Sequence, residues 1–185
     1  MKLKNSEIYS IDDAYRNLDN INLWIVNSDT KTSIILGLIG VLFTIIFSNS
    51  DFLILLIKLI NKIFDNIMFS DIIYLIIMIF SIGLFINGIY KLILVLIPKL
   101  KLNINNGKSI LYFGSIYSFG SVNDFKHKVY LIKKGELLDD LLNQIYINSN
   151  ICSKKFNNYN AGLRSVIYGA LIFSIFYVVG ILVYL

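Results

Sequence analysis

The sequence predicts an all-α integral membrane protein with three transmembrane helices, an interfacial amphipathic helix and a small cytoplasmic helical module. Hydrophobic residues make up 56 % of the 185 residues and charged residues only 16 %, against about 25 % in soluble domains. The mean hydropathy is +0.69. Because a soluble domain of this size could not bury so much apolar surface, the composition excludes disorder, a fibrous repeat and an ordinary cytosolic enzyme.

Three apolar stretches are long enough to cross a bilayer, whose hydrocarbon core of about 30 Å needs roughly 20 apolar residues in a helix. They predict spans at about 32–50 and 72–97, which form a transmembrane hairpin over 32–97, and a C-terminal span at 165–185. Lys91 lies within the second span, and we interpret it as a side chain that reaches the nearby interface.

A fourth apolar stretch, residues 52–69, has a different pattern. Its polar residues recur at three- and four-residue steps and so share one helical face: Lys58, Asn61, Lys62, Asp65 and Asn66. This pattern is typical of a helix that lies in the membrane interface. The three charges make a fourth span the less favoured alternative.

The distribution of basic residues predicts the orientation. Residues 91–164 contain eleven Lys/Arg, against four in residues 1–32 and two in residues 49–71. Cytoplasmic loops carry the excess of Lys and Arg. We therefore expect a cytoplasmic N-terminal helix at 1–31 and a cytoplasmic module at 98–164, with the C-terminus on the far side.

Two capping patterns mark helix starts in these polar segments. Ser10 with Asp13 predicts a helix whose buried face carries Ile11, Ala14, Leu18, Ile21 and Ile25. No helix breaker separates this helix from the first span, so we expect it to continue. Ser121 with Asp124 predicts a second helix of about 12 residues that ends at a Gly135 cap.

A regular apolar stripe predicts one continuous helix from the cytoplasmic module into the last span. The stripe has alternating steps of four and three residues: Leu138, Leu142, Ile145, Ser149, Cys152, Phe156, Tyr159 and Leu163. Such a seam packs a small bundle together, carries a signal into the bilayer, or does both.

Small residues recur in the spans at spacings that favour close helix packing. The positions we single out are Gly37, Gly83, Asn87, Gly169 and Ser174. They serve contacts within the chain or between protomers, so a homo-oligomer stays open. Spans with so few polar groups do not line a pore alone.

Catalytic patterns are missing from the sequence. The single His127 has no neighbouring Ser or Cys nucleophile, and Cys152 lies on the apolar stripe. The adjacent Asp139 and Asp140 point to different helix faces. We therefore predict neither an enzyme nor a resident metal or cofactor.

The cytoplasmic module combines basic and aromatic residues. Lysines at 126, 128, 133, 134, 154 and 155 accompany Tyr112, Phe113, Tyr117 and Phe119. Cations suit a phosphate and aromatic faces suit a base. The composition alone favours the alternative that the lysines contact anionic lipid head groups, and we expect no nucleic acid polymer as a partner.

Four motifs together resemble the Pycsar-type transmembrane effector family of bacterial anti-phage defence. They are Asn27-x-Asp29-Thr-Lys31 before the first span, Tyr112-Phe-Gly-Ser-Ile116 after the second, Asp140-x-x-x-Gln144-Ile145, and Lys155-Phe156 before the last span. The resemblance runs from about residue 11 onward. The sequence departs from the family at Ser115, where Asp is frequent, and at Phe156, where Tyr is frequent.

The resemblance implies a function. Such an effector senses cyclic CMP or cyclic UMP made by a partner pyrimidine cyclase, impairs the inner membrane and causes abortive infection. On that reading, our candidate ligand contacts are Asp29, Lys31, Tyr112, Gln144 and Lys155. A ligand-independent structural subunit or toxin-like membrane protein is the alternative function.

Overall fold

The computed structural model describes residues 9–48, 50–65, 68–97 and 109–184, and the regular elements in these ranges are all helices. They are α1 (Ile11–Ser48), α2 (Ser50–Asp65), α3 (Phe69–Leu96), α4 (Phe113–Tyr117), α5 (Val122–Leu131) and α6 (Lys134–Tyr184). Three of them, α1, α3 and α6, are long and apolar enough to cross a membrane. The prediction of an all-α membrane protein is confirmed.

The chain forms two compact units. The polar unit comprises Met1–Asn27 and Pro98–Lys154, and the apolar unit comprises Ser28–Ile97 and Lys155–Leu185. Helices α1 and α6 therefore each contribute residues to both units. The predicted boundaries at residues 31 and 164 lie close to these divisions but inside the apolar unit.

Helix α1 begins at the predicted capping box. The Ser10 amide donates to Asp13 Oδ2 at 3.0 Å, and the Asp13 amide donates to Ser10 Oγ at 3.1 Å. Hydrogen bonds from the Ser10 side chain and backbone hold the pKa of Asp13 below its usual range. The helix then continues without a break into the apolar stretch, as expected.

One face of α1 is buried or half-buried along its length. The steps again alternate between four and three, and the residues are Ala14, Leu18, Ile21, Ile25, Ser28, Thr32, Ile35 and Ile39. Within the polar unit, this face carries Ala14, Leu18, Ile21 and Ile25, which the sequence predicted to be buried. In the apolar unit, Ile39 packs with Leu92 and Val166.

Helix α2 ends at Asp65, and the last residues of the predicted interfacial segment, Met68 and Phe69, instead cap and begin α3. Asn66 lies outside the described residues. Leu55 and Leu59 of α2 are buried in the apolar unit. Nearby, Lys62 Nζ lies 3.3 Å from Asp71 Oδ1, whose side chain is only 2 % exposed.

Helices α3 and α6 approach each other closely at glycines. A Cβ at Gly88 would lie 2.7 Å from the Val166 backbone nitrogen, and one at Gly169 would lie 2.8 Å from the Phe85 nitrogen. Gly162 faces Leu92 and the Gly88 carbonyl in the same way. Because glycine has no Cβ, the two backbones come together over this stretch.

Helix α6 spans 51 residues, which confirms the predicted continuity. Gly135 lies in its first turn, so the predicted C-terminal cap at Gly135 is wrong; α5 ends at Leu131 instead. The capping pair Ser121 and Asp124 is confirmed, because the Asp124 amide donates to Ser121 Oγ.

The buried face of α6 lies one residue earlier than the predicted stripe. Leu141, Gln144 and Gly162 are buried, whereas Leu142 is 41 % exposed and Ser149 is exposed. The prediction followed apolar residues, but the polar side chains of Gln144 and Lys155 have hydrogen-bond partners inside the units. Burial of paired polar groups is tolerated, so the true face contains them.

Candidate functional site

A hydrogen-bonded cluster in the polar unit joins the start of the aromatic segment to α6. We define the Ser109 cluster as Ser109, Asp140 and Gln144. Ser109 Oγ and the Ile110 amide both donate to Asp140 Oδ2 at 3.0 Å. Gln144 Nε2 donates to Ser109 Oγ at 3.4 Å. Because Asp140 and Gln144 are four residues apart on α6, they share one helical face.

The Ser109 hydroxyl also shapes the turn into α4. The Leu111 and Tyr112 amides donate to Ser109 Oγ at 3.1 and 3.2 Å. Hydroxyl acceptors of this kind stabilise short turns. The sequence through Tyr112 is thereby held at a fixed place on the α6 surface of the polar unit.

The Tyr112 ring lies across the backbone of Gly114. A Cβ added to Gly114 would lie 2.6 Å from the ring, so only glycine permits this approach. The half-buried ring also packs against Phe113, with a centroid distance of 4.8 Å. The Tyr-Phe-Gly motif therefore positions a fixed aromatic side chain close in sequence to the Ser109 cluster.

A second polar contact lies in the apolar unit and involves all three candidate spans. We call it the Lys155 clasp: Lys155 Nζ donates to Asp29 Oδ1 at 2.5 Å and to the Val95 carbonyl oxygen at 2.6 Å. The three residues belong to α6, α1 and α3 respectively. Lys155 is only 5 % exposed, whereas the Asp29 side chain is 38 % exposed.

Loss of Asp29 and loss of Lys155 from the clasp have different consequences. Removing one partner of a fully buried ion pair costs about 3–5 kcal/mol, because an unpaired charge stays buried. The cost here is smaller than that because water screens the exposed part of Asp29. Loss of Asp29 leaves Lys155 with the Val95 carbonyl, and loss of Lys155 leaves Asp29 close to water.

The predicted ligand contacts divide between the two units. Tyr112 and Gln144 lie in the polar unit, while Asp29, Lys31 and Lys155 lie in the apolar unit. Lys31 is exposed on α1. The structure thus brings together Asp29 with Lys155, and it brings Gln144 into the Ser109 cluster.

Sequence reasoning missed three participants in these contacts. Asp140 begins the Asp140-x-x-x-Gln144-Ile145 motif but was given no ligand role, and its four-residue spacing from Gln144 was the available signal. Ser109 has no sequence pattern that marks it. Val95 contributes a backbone carbonyl, which no side-chain pattern can reveal.

Of the predicted packing residues, Gly169 lies at the contact of α3 with α6. A Cβ at Gly37 or Gly83 would meet nothing within 4 Å, and Asn87 and Ser174 are exposed. These four are therefore free for contacts outside the chain, and their role between protomers stays a prediction.

Across the described ranges, no group of three His, Cys, Asp or Glu side chains is placed to hold a metal ion. The Ser109 cluster is held by hydrogen bonds, and the Lys155 clasp by hydrogen bonds and an ion pair. Their donors and acceptors suit a small polar ligand: a carboxylate, a carboxamide and a phenol.

Comparison with known proteins agrees with this architecture. The Pycsar effector protein domain (PycTM) matches residues 13–183. The Pycsar effector protein GmPycTM of Gulbenkiania mobilis is 35 % identical over 191 residues, which cover 94 % of this chain and 93 % of the relative. No solved structure matches the chain. Since the match takes in both units and all three candidate spans, the chain belongs to the Pycsar transmembrane effector family of bacterial anti-phage defence.

Proposed function

We propose that the protein is a nucleotide-gated membrane effector. It senses cyclic CMP or cyclic UMP made by a partner pyrimidine cyclase during phage infection. It then impairs the inner membrane, so that the infected cell stops growing or dies. The protein acts by a change of conformation or assembly, without catalysis.

The observation that carries this proposal is the continuity of α6. One uninterrupted helix contains Gln144 of the Ser109 cluster and the last candidate span. A helix transmits displacement and rotation along its axis, since each turn is hydrogen-bonded to the next. A displacement or rotation caused by ligand binding near Gln144 can therefore be transmitted along α6 to its membrane-spanning part.

We propose that Gln144 and Tyr112 contact the nucleotide from the polar unit. The Gln144 carboxamide can both donate and accept hydrogen bonds, as recognition of a pyrimidine or ribose requires. The Tyr112 ring offers an aromatic face on which a base can stack. For Asp29, Lys31 and Lys155, contact with the ligand stays a prediction from sequence; Lys31 is the exposed cation among them.

The proposed orientation places segments 1–31 and 98–164 in the cytoplasm. Within the apolar unit, Lys31, Lys91 and Arg164 belong to the end expected to face the cytoplasm, and Asp71 lies at the opposite end of α3. The charge-free stretch of α3 between Asp71 and Lys91 is about 30 Å long at 1.5 Å per residue. That length equals the hydrocarbon core, and the basic end fits the positive-inside rule.

The test is leakage from liposomes that contain the full-length protein and a trapped fluorophore. We expect one cyclic pyrimidine nucleotide to cause leakage and cyclic AMP to cause none. Gln144→Leu should weaken the response at least tenfold, while Asn143→Ala, at an exposed neighbouring position, should respond as the wild type does. Equal leakage with and without nucleotide would instead indicate a ligand-independent membrane protein.

A further inference from the structure

The Lys155 clasp joins three helices through one ammonium group. We infer that the clasp holds the membrane-spanning helices in the resting, non-leaking arrangement, and that activation requires Lys155 to leave Asp29 or the Val95 carbonyl. The inference rests on the proposed function, which supplies the active state, but it assigns Lys155 a role other than ligand contact.

The Val95 carbonyl oxygen can accept a hydrogen bond from Lys155 because it lies at the end of α3. Val95 lies one residue before the end of α3 at Leu96. The last four carbonyls of a helix have no partner within it, and they carry the negative end of the helix dipole. The Val95 oxygen therefore attracts a cation, and Lys155 fills this position at 2.6 Å.

The charges of the clasp suit a contact that can be released. Apolar residues of similar volume often stabilise a protein as well as a buried ion pair does, so stability alone does not require Lys155 and Asp29. A charge pair can exchange partners, whereas an apolar contact cannot. The 38 % exposure of the Asp29 side chain gives water and solutes access to one side of the pair.

Removal of the clasp and removal of a ligand contact have opposite consequences. If Lys155 only bound the nucleotide, its loss would leave a silent protein. If Lys155 holds the resting state, its loss favours the active state without any ligand. A ligand shifts such an equilibrium only by the difference between its affinities for the two states. A variant without the clasp therefore needs a smaller affinity difference to reach the active state.

The experiment compares leakage from liposomes that contain full-length wild type, Lys155→Met or Asp29→Asn, in the absence of nucleotide. We expect Lys155→Met to raise the basal leak rate at least tenfold, and Asp29→Asn to raise it less because the Val95 contact persists. Lys154→Met removes a neighbouring exposed lysine and should leave the basal rate unchanged.

A conservative variant separates release of the clasp from damage to the fold. Lys155→Arg keeps a cation that can donate to Asp29 and to the Val95 carbonyl oxygen. We expect its basal leak rate to lie at least threefold below that of Lys155→Met. If Lys155→Arg leaks as much as Lys155→Met, the cation does not hold the resting state.

The wild-type arm distinguishes this inference from the proposed function. Leakage of wild type with a nucleotide, combined with no basal leakage of Lys155→Met, would overturn the clasp and leave nucleotide gating intact. Basal leakage of Lys155→Met, combined with no response of wild type to either nucleotide, would support the clasp and overturn nucleotide gating.

Discussion

Individual glycines decide how closely α3 and α6 pack. Gly88, Gly162 and Gly169 each lie where a Cβ would come within 3.0 Å of an atom of the opposite helix. Gly37 and Gly83 also lie within helices, but they have open space around them. The same residue type therefore has two different roles in one chain, and only the distance to the neighbouring helix separates them.

Gly169→Ala should destabilise the protein by about 1–3 kcal/mol, because the added methyl group overpacks the contact with α3. Gly83→Ala should be neutral or stabilising by up to about 1 kcal/mol, because alanine favours the helix. Unfolding of the detergent-solubilised variants, monitored by far-UV circular dichroism, checks both. An equal effect at the two positions would contradict the contact.

The lowered pKa of Asp13 predicts that the stability of the start of α1 depends on pH. Its pKa is lowered by hydrogen bonds from Ser10, so the capping box stabilises the helix above the unfolded carboxyl pKa of about 3.9. That contribution is lost as the pH falls through the lower folded pKa.

An NMR titration of the Asp13 carboxyl group should give a pKa below about 3.9. In Ser10→Ala, the value should rise because the side-chain donor is gone. An unchanged titration curve in that variant would show that the capping box does not lower the pKa.

At the scale of elements, α2 has two different apolar sides. Leu55 and Leu59 pack into the apolar unit, whereas Leu53, Ile57 and Ile60 are exposed in the isolated chain. Lys58 and Asn61 form a separate, exposed polar side. This arrangement suits a helix in the interface, with its second apolar side in the acyl chains and its polar side toward water.

Cysteine labelling tests that placement in a Cys152→Ser background. We expect Asn61→Cys to react with a membrane-impermeant maleimide added to the periplasmic side, because its side chain faces water. Ile57→Cys should react at least tenfold more slowly, since lipid covers it. Equal labelling of the two positions, or labelling of Asn61→Cys only after the membrane is opened, would contradict the proposed orientation.

For α6, the sequence pattern predicted the length of the helix but not which of its faces is buried. The continuity of the helix followed from the sequence, because a regular apolar stripe runs along it and it contains no proline. Its register did not follow, since the apolar residues Leu142 and Phe156 favoured one face and the polar Gln144 and Lys155 occupy the buried one. Burial of these two side chains depends on partners that are distant in sequence.

At the scale of the whole molecule, the proposed signalling requires that α6 act as one continuous helix. Asn150→Pro, at an exposed position of α6, removes one backbone hydrogen bond and kinks the helix at a cost of about 3 kcal/mol or more. We expect the variant to insert into the membrane, because the span at 165–185 is unchanged. Its leak rate should no longer change when the nucleotide is added.

Asn150→Ala is the matched control, because alanine keeps the helix continuous. It should respond to the nucleotide as the wild type does. A full nucleotide response in Asn150→Pro would show that the signal reaches the bilayer by a route other than the continuous α6.

Features that depend on local composition and short spacings could be predicted before the fold was known. The three spans follow from runs of apolar residues, the helix starts from Ser10 with Asp13 and Ser121 with Asp124, and the family from four motifs. Each depends on residues that are close in the chain, where helical geometry fixes their relation. Side chains such as Gln144 and Lys155 could be nominated as important, but their partners could not.

The contacts between residues of different helices could be identified only in the folded chain. The Lys155 clasp joins positions 29, 95 and 155, and the close approach at Gly88, Gly162 and Gly169 joins α3 to α6. Both depend on the relative depth and rotation of helices that are far apart in sequence. Those two quantities are set by packing between helices, because the period of a single helix leaves them undetermined.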